Sequence, residues 1–486
     1  MNFNTIIEQI KPVQVAGSAN IEVTSIGINS RDVKSGECFI ALKGTQVDGH
    51  TYIADAIAKG AVAVICENLP SEQKNNVCYA VVENTDVAAG WAASAFYGNP
   101  SSKLKLVGVT GTNGKTTTAT LLHDLFTALG YQAGLISTVA YLIDKERFNS
   151  THTTPDAVTL NKLLHDMVEA GCTHCFMEVS SHAIVQKRIE GLHFVGGIFT
   201  NITHDHLDYH KTFEKYLKAK KMFFDQLPKE AFALTNGDER NGKVMVQNTK
   251  ATIKTYALKT LADFKCKIVE QHLDGMLLQL NGTEIWTSLI GDFNAYNLSA
   301  IYGTAILLGA PKEEVERIIS SLKSVSGRFE YVKSATGITA IVDYAHTPDA
   351  LQNVVDTINR LRIPGQQLIT VVGCGGNRDK TKRPVMAKVA TENSDRVILT
   401  SDNPRKEKAE DILQDMYEGV SASNRKKTLT IVNRREGIKA AISFADSKDI
   451  ILVAGKGHED YQIIGETKHH FDDKETLKEL FKELDK

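Results

Sequence analysis

The sequence predicts an α/β chain of three domains. These are a small N-terminal α/β domain, a central domain with a mostly parallel sheet, and a C-terminal Rossmann-like α/β domain. Three observations predict this. A chain of 486 residues is too long for one hydrophobic core and needs about three. A strand, a glycine loop, Lys-Thr and a helix follow one another between Leu104 and Leu129. From residue 328 a second α/β alternation begins. In it, polar residues gather at the ends of successive strands, where an open parallel sheet binds ligands.

Composition narrows the function. Hydrophobic residues make up 42% and charged residues 23% of the chain, as in a soluble globular protein. A net charge of −2 gives no bulk electrostatic case for nucleic acid or an anionic membrane. The start, Met1 to Lys11, lacks a basic region followed by a long apolar run, so no signal peptide is expected. No apolar stretch is long enough to span a bilayer. Seven scattered cysteines suggest reduced thiols and a cytoplasmic location. Cys172-Thr-His-Cys175 has no second pair at zinc spacing and reads as core.

Residues 1–98 form the first expected domain. Asn29 to Asp32 is a loop before the strand Gly36 to Leu42, and Asp48-Gly-His50 is a turn. Ala54 to Lys59 reads as a helix and Ala61 to Ile65 as a strand. Ser30 and Arg31 suit an anionic ligand, although a plain surface loop explains them as well. Asn99 to Ser102 reads as a linker.

The second domain spans 99–327. Leu104 to Val109 is a short buried strand and Gly111 to Gly114 a loop only small residues can make. In the helix Thr116 to Leu129, Leu121, Leu122, Leu125, Phe126 and Leu129 share a face, and Gly130 ends it. This is the layout of a P-loop. Its amides and the helix N-terminus present partial positive charge to an anion. Lys115 would reach terminal phosphates and Thr116 would offer a hydroxyl to magnesium. Val109 stands where the general pattern has glycine, so the match is to the shorter Gly-x-x-Gly-Lys-Thr form. An ordinary glycine turn is the alternative, but it gives no reason for Lys-Thr at the helix start.

Further on, Asp156 to Ala170 reads as a helix. The strand Thr173 to Val179 ends in Glu178-Val-Ser-Ser-His182, placing a carboxylate where nucleotide-binding sheets hold metal ligands. The strand Gly196 to Thr200 leads into Asn201 to His210, a run of metal-capable side chains or a solvated loop. In the helix Thr212 to Leu227, Phe213, Tyr216, Leu217, Phe223, Phe224 and Leu227 share one face. Lys220 lies near the middle of that face, while Lys215 and Lys218 point away. An ammonium there is costly. It snorkels, is paired, or is chemically neutralised, for instance as the carbamate that a free amine forms with carbon dioxide. A long helix opens at Gly291 to Asn297 and runs to Leu308. Ser326 to Glu330 closes the domain, with Arg328 either reaching a nucleotide or pairing with Glu330.

The third domain covers 328–486. Ile338 to Val342 leads to Asp343-Tyr-Ala-His346, with Thr347 as helix N-cap and Pro348 at the first helical position. Leu368 to Val372 leads to Gly373-Cys-Gly-Gly-Asn-Arg-Asp379, whose spacing is wrong for a dinucleotide fingerprint. Arg396 to Thr400 leads to Ser401-Asp-Asn-Pro-Arg405, and Ile450 to Ala454 to Gly455-Lys-Gly-His-Glu459.

Together these segments resemble the Mur ligase family, the ATP-dependent amide-forming enzymes of peptidoglycan precursor synthesis. The resemblance rests on Gly111 to Thr116, Glu178 to His182, Asn201 with Asp205 to His210, Ala219-Lys220, Asn294 with Asn297, Gly327-Arg328 and Asp343 to Pro348, in family order. It implies ATP as substrate and Mg2+ as cofactor. A substrate carboxylate attacks the γ-phosphate, giving an acyl phosphate and ADP, and an amine then displaces phosphate. Gly111, Thr112, Asn113, Gly114, Lys115, Thr116 and Thr117 would hold ATP, with Asn294 and Arg328. Lys115, Lys220, His206 and Asp343 would be catalytic. Thr116, Glu178, His206 and Lys220, as its N6-carboxylated form, would serve the metal. The UDP-muramoyl-dipeptide would be held by Ser30, His152, Thr153, Thr154, Ser180, Gln186 and Arg188.

The family adds meso-diaminopimelate or L-lysine at this step. Asp402-Asn-Pro-Arg405 resembles the diaminopimelate-adding form, whose extra carboxylate needs a fixed cation. Arg378 and Arg405 would grip carboxylates. Asp402 and Glu459 would take an ammonium, assisted by Asn403, Pro404 and the Gly455 carbonyl. Lysine addition is the alternative, as are a folylpolyglutamate synthetase and a P-loop switch without ligase chemistry. A monomer that takes small molecules, without nucleic-acid or membrane partners, is expected.

Overall fold

The computed structural model describes residues 1–44, 47–150 and 152–486. The described residues form three major sheets in chain order, as the alternation predicts. The first contains β1 (Gln14–Ala16), β2 (Ser25–Gly27), β3 (Glu37–Ile40), β4 (Ala63–Cys66) and β5 (Cys78–Val81), in the order β1-β5-β4-β3-β2. β3, β4 and β5 are buried at every position, as strands covered on both faces are.

The central sheet begins with β6 (Lys105–Thr110), β7 (Ala133–Ile136), β8 (Tyr141–Ile143), β9 (Glu146–Phe148), β10 (His174–Glu178) and β11 (Gly196–Phe199). It continues with β12 (Phe232–Asn236), β13 (Thr252–Ala257), β14 (Phe264–His272), β15 (Gly275–Leu280) and β16 (Thr283–Thr287). The order is β16-β15-β14-β13-β12-β11-β6-β10-β7-β8-β9. Neighbours from β14 to β7 are parallel, while β8, β9, β15 and β16 extend both edges antiparallel. β6 lies between β10 and β11. The loop after it therefore stands between the ends of those strands, at Glu178 and Thr200.

The third sheet contains β17 (Glu330–Lys333), β18 (Thr339–Asp343), β19 (Leu368–Val372), β20 (Arg396–Thr400), β21 (Thr428–Ile431) and β22 (Ile450–Ala454), in the order β17-β18-β22-β19-β20-β21. β18, β22, β19 and β20 are parallel neighbours. Their C-terminal ends put Asp343, Gly455, Gly373 and Asp402 on one edge. A hairpin, β23 (Tyr461–Ile464) and β24 (Thr467–His470), follows.

Two expectations need correction. Asn99 to Ser102 is not a loose linker. Pro100–Lys103 is a 3-10 turn with Pro100 and Ser101 buried, and Ser101 Oγ accepts from His193 N at 3.0 Å. Phe213 does not share the buried face of its helix. It is 37% exposed at the first turn, before the helix reaches the sheet.

The domain junctions differ in chemistry. A Cβ on Gly90 would lie 2.3 Å from the Glu190 carbonyl, and Ala157 of the central domain sits in the first domain's core. That junction is close-packed. Between the central and C-terminal domains, Ile290 and Phe293 pack with Phe329, with the two phenyl rings 5.7 Å apart. Away from this spot the contacts are polar. Asn113 Nδ2 donates to Asp349 at 2.9 Å, and Arg360 forks onto Asp292 at 3.0 and 3.1 Å.

Candidate active site

A cavity of about 770 Å³ opens at the ends of β6, β10, β11 and β18, lined by the 112–117 loop, Glu178, Lys220, Asn294, Arg328 and Asp343 among others. The glycines shape its floor. A Cβ on Gly111 would lie 1.9 Å from Thr200 Oγ1, so only glycine admits the loop there. Gly114, at φ +87°, turns the chain into the helix Lys115–Ala128. Thr200 Oγ1 donates to Asn113 O at 2.7 Å, and Asn201 Oδ1 accepts from Asn113 N at 2.9 Å. The sequence assigned no role to Thr200, and Asn201 entered only as part of the polar run and of the family motif.

Two lysines meet on one carbonyl. Lys115 Nζ donates to Gly111 O at 3.0 Å and Thr112 O at 2.8 Å, while Lys220 Nζ donates to Gly111 O at 2.7 Å. Lys220 is 1% exposed, lies over the Tyr216 ring at 4.7 Å and has no ion pair among the described residues. Burial, then the charge on Lys115, pushes its pKa well below the ordinary value. Snorkelling to the outer surface does not fit, because the residue is almost wholly buried and lines only the cavity. Lys215 and Lys218 are exposed, as periodicity predicts.

Arg328 spans the junction. Its Nη2 donates to Thr116 Oγ1 at 3.0 Å and its guanidinium stacks on Tyr344 at 4.5 Å. It does not pair with Glu330, which binds Lys474 and the Gly327 amide instead. Asp343 accepts from Phe329 N at 2.7 Å and Ala345 N at 2.8 Å, and burial raises its carboxyl to about 6.

A second group lines the same cavity. Glu178 Oε1 accepts from Thr138 N at 2.7 Å, and Thr138 shares a hydrogen bond with Thr153 at 2.9 Å. Thr154 Oγ1 donates to Glu178 O at 2.8 Å and to Ser180 Oγ at 3.4 Å. Arg188 donates to Thr154 O at 2.7 Å and to Gln186 Oε1 at 2.6 Å. Arg188 has no ion pair among the described residues and faces a cavity also lined by His152. Ser30 lies elsewhere, in a cavity of about 630 Å³ in the first domain, with Asn29, Arg31, Tyr52 and Lys59.

The third group stands beside the main cavity, which Arg378 also lines, and Tyr344, whose hydroxyl lies 3.5 Å from Glu459, joins the two. Asn403 Nδ2 donates to Glu459 at 2.7 Å. Asp402 is 6% exposed, and its Oδ1 is buried without a hydrogen bond. Lys456, fully buried, stands 3.5 Å from Glu459 and 4.0 Å from Asp402, and was not anticipated. Burial raises the Glu459 carboxyl, and Asp402 adds to the effect. Arg405 donates to Gly376 O at 2.8 Å; burial and then Arg378 lower its pKa. Neither arginine has an ion pair among the described residues. Pro404 is buried.

No three His, Cys, Asp or Glu side chains gather as a metal cage among the described residues. A magnesium ion, which takes few protein ligands and keeps several waters, is compatible with the oxygen donors Thr116 and Glu178 on the cavity wall. Lys220 fits that set only as a carbamate, which supplies oxygens. His206, at φ +54°, lines the same wall edge-on to His182, 5.0 Å away. Burial keeps its imidazole neutral and able to act as a ligand.

Burial pushes His174, His210 and His346 each down to about 4. In the unfolded chain they take protons near ~6.5, whereas the folded protein resists until about 4. The unfolded state therefore binds more protons in that window, and stability falls as pH drops through it. Asp343, with its raised carboxyl, opposes this below about 6, one group against several. The thermal midpoint should fall steadily between neutral and mildly acid buffer, and a flat profile would contradict these burials.

The chain matches the Mur ligase family catalytic domain over residues 22–97, the Mur ligase middle domain over 109–305 and the Mur ligase glutamate ligase domain over 327–457. It is 56% identical over 481 residues to UDP-N-acetylmuramoyl-L-alanyl-D-glutamate–2,6-diaminopimelate ligase of Bacteroides fragilis, covering 99% of both chains. A solved structure of a ligase of that name superposes with a TM-score of 0.71 at 31% identity, over 100% of this chain and 99% of that one. Mycobacterium tuberculosis folylpolyglutamate synthase gives a TM-score of 0.61 at 17% identity, over 76% of this chain and 92% of its own. At that identity the likeness is one of fold.

Proposed function

The chain belongs to the Mur ligase family, and we propose that it joins meso-diaminopimelate to the D-glutamate of UDP-N-acetylmuramoyl-L-alanyl-D-glutamate, using ATP. The observation that carries this reading is Arg405, which like its neighbour Arg378 has no ion pair among the described residues, within electrostatic reach of the carboxylates Asp402 and Glu459. A far-end carboxylate and ammonium match that pattern. Lysine brings the ammonium but not the carboxylate, and would leave the arginines unpaired.

The roles are those the family resemblance implies, and the positions are compatible with them. The 111–117 loop and Asn294 hold ATP, and Lys115 leaves its loop carbonyls to meet the γ-phosphate. The nucleotide portion of the acceptor lies by Ser30. Arg188, with His152, Thr153, Thr154, Ser180 and Gln186, holds the dipeptide so that its carboxylate faces the phosphate. Oxygen attack on phosphorus breaks the bond to ADP and leaves an acyl phosphate. The amine then adds to the acyl carbon, loses a proton, and phosphate departs. Arg328 and Asp343 fix the nucleotide across the junction. Thr116, Glu178, His206 and carbamylated Lys220 would hold Mg2+, which neutralises phosphate charge when bound.

Phosphate release from ATP should require both the UDP-linked dipeptide and meso-diaminopimelate. Release with L-lysine alone would keep the ligase and overturn the reading of Arg405. Release with neither amine would overturn the function. The reaction uses small molecules only, and no helix among the described residues is long and apolar enough to cross a membrane.

A further inference from the structure

Behind Arg378 and Arg405 lies a charge cluster that touches none of the residues proposed to bind phosphate. Arg383, on the helix Lys382–Asn393, has a fully buried side chain. Its Nη1 donates to Glu407 Oε2 at 3.0 Å and to Asp415 Oδ2 at 2.7 Å, and its Nη2 to Glu407 Oε1 at 2.9 Å. The Glu407 carboxylate also accepts from the Asn377 amide, and Lys380 approaches it at 3.3 Å. Hydrogen bonding from Arg383 holds the Glu407 carboxyl down at about 2.

Glu407 therefore ties two loops together. One is the turn after β19, which carries Arg378; the other follows β20 and carries Arg405. The loops touch backbone to backbone. Gly376 N donates to Asn403 O at 2.9 Å, and a Cβ on Gly376 would lie 1.9 Å from Pro404 O. Lys406 N donates to Asn377 Oδ1 at 3.0 Å. Asn377 and Arg405 both stand at φ +53°, a conformation that needs outside support in residues with side chains. The two guanidiniums carry like charge, and no carboxylate binds either one among the described residues. The nearby acid, Glu407, is instead occupied by Arg383 and Lys380.

We propose that Glu407 and Arg383 are positioning residues that brace the two loops, holding Arg378 and Arg405 together and open for a substrate carboxylate. This rests on the reading of those arginines as the carboxylate grip. The brace works by geometry: the bidentate fork of Arg383 fixes Glu407, and Glu407 fixes the Asn377 amide.

The test is steady-state phosphate release by the whole enzyme, varying each substrate in turn, for wild type, Glu407→Gln, Glu407→Asp, Arg383→Lys and Asp415→Asn. Glu407→Gln and Arg383→Lys should raise the KM for meso-diaminopimelate about tenfold, leaving the KM for ATP and for the UDP-linked acceptor within about twofold. Glu407→Asp should recover part of the loss. Asp415→Asn, which removes only the outer charge beside Arg383, should lower the thermal midpoint without moving the amino-acid KM. An unchanged amino-acid KM in Glu407→Gln overturns the brace, as does an equal rise in all three KM values. A rise of the same size in Asp415→Asn also overturns it, and so does loss of the folded state in both Glu407→Gln and Arg383→Lys. If wild type releases no phosphate with meso-diaminopimelate, the proposed function itself falls and takes the brace with it. If wild type is active and the variants keep its KM, only the brace falls.

Discussion

Lys220→Ala should lower phosphate release by at least about a thousandfold at saturating substrates, the scale set by losing a group that neutralises charge in the transition state. The expectation comes from what surrounds the amine. It is buried, it shares the Gly111 carbonyl with Lys115, and no carboxylate pairs with it among the described residues. An ammonium there suffers both desolvation and like-charge repulsion. The free amine can attack carbon dioxide through its lone pair, giving a carbamate anion and releasing one proton. The product places oxygens where a cation among phosphates requires them. High bicarbonate should not rescue the alanine variant, because no amine remains to react. Near-normal turnover in Lys220→Ala would end the carbamate reading.

Arg405→Ala should raise the KM for meso-diaminopimelate about a hundredfold. Loss of a charge-assisted bidentate contact costs about 3 kcal/mol, and each ~1.4 kcal/mol is a factor of ten. Arg405→Lys should recover little, because an ammonium cannot fork onto a carboxylate. The KM for ATP should stay within about twofold, as the guanidinium lies outside the cavity that holds the phosphate loop. Discrimination against L-lysine should narrow in the alanine variant. Equal use of both amines by the wild type would show that Arg405 does not choose the amine.

Much of this site was legible in the sequence because its parts are local. The phosphate loop declares itself by glycine spacing and by Lys115-Thr116. Lys220 declares itself by breaking an apolar stripe, which needs only helical period. The strand ends at Glu178, Asp343 and Asp402 follow from alternation. What stayed hidden depends on partners far along the chain. Arg328 meets Thr116 across 212 residues, and no spacing rule distinguishes that from a pair with Glu330 two positions away. Arg383, Lys456 and Arg434 look like surface charges in sequence, yet all three side chains are fully buried. Arg434 binds Asp473 at 2.7 Å, a pairing that only the tertiary fold creates. The antiparallel edges from β14 to β16 were missed because half-exposed strands mix polar and apolar residues without a clear alternation. Asn99 to Ser102 carried linker composition, but folding put Ser101 to use as a hydrogen-bond acceptor.

The unequal domain junctions have a mechanical consequence. The first and central domains are locked by backbone contact at Gly90 and by a shared apolar core, so they respond to a load as one stiff body. At the other junction the apolar contact is small, with Ile290 and Phe293 against Phe329, and it is the natural place for a pivot. The polar links farther out, at Asp349 and Arg360, lie along the lever arm. Each can trade its partner for water at a cost of about 1 kcal/mol. Compliance is thereby concentrated in a single rotation, and swings of this kind run on microsecond-to-millisecond clocks. Any opening for product and closing on substrate at this junction would draw on the same soft contacts, and a turnover limited by them would not respond to changes in the chemistry.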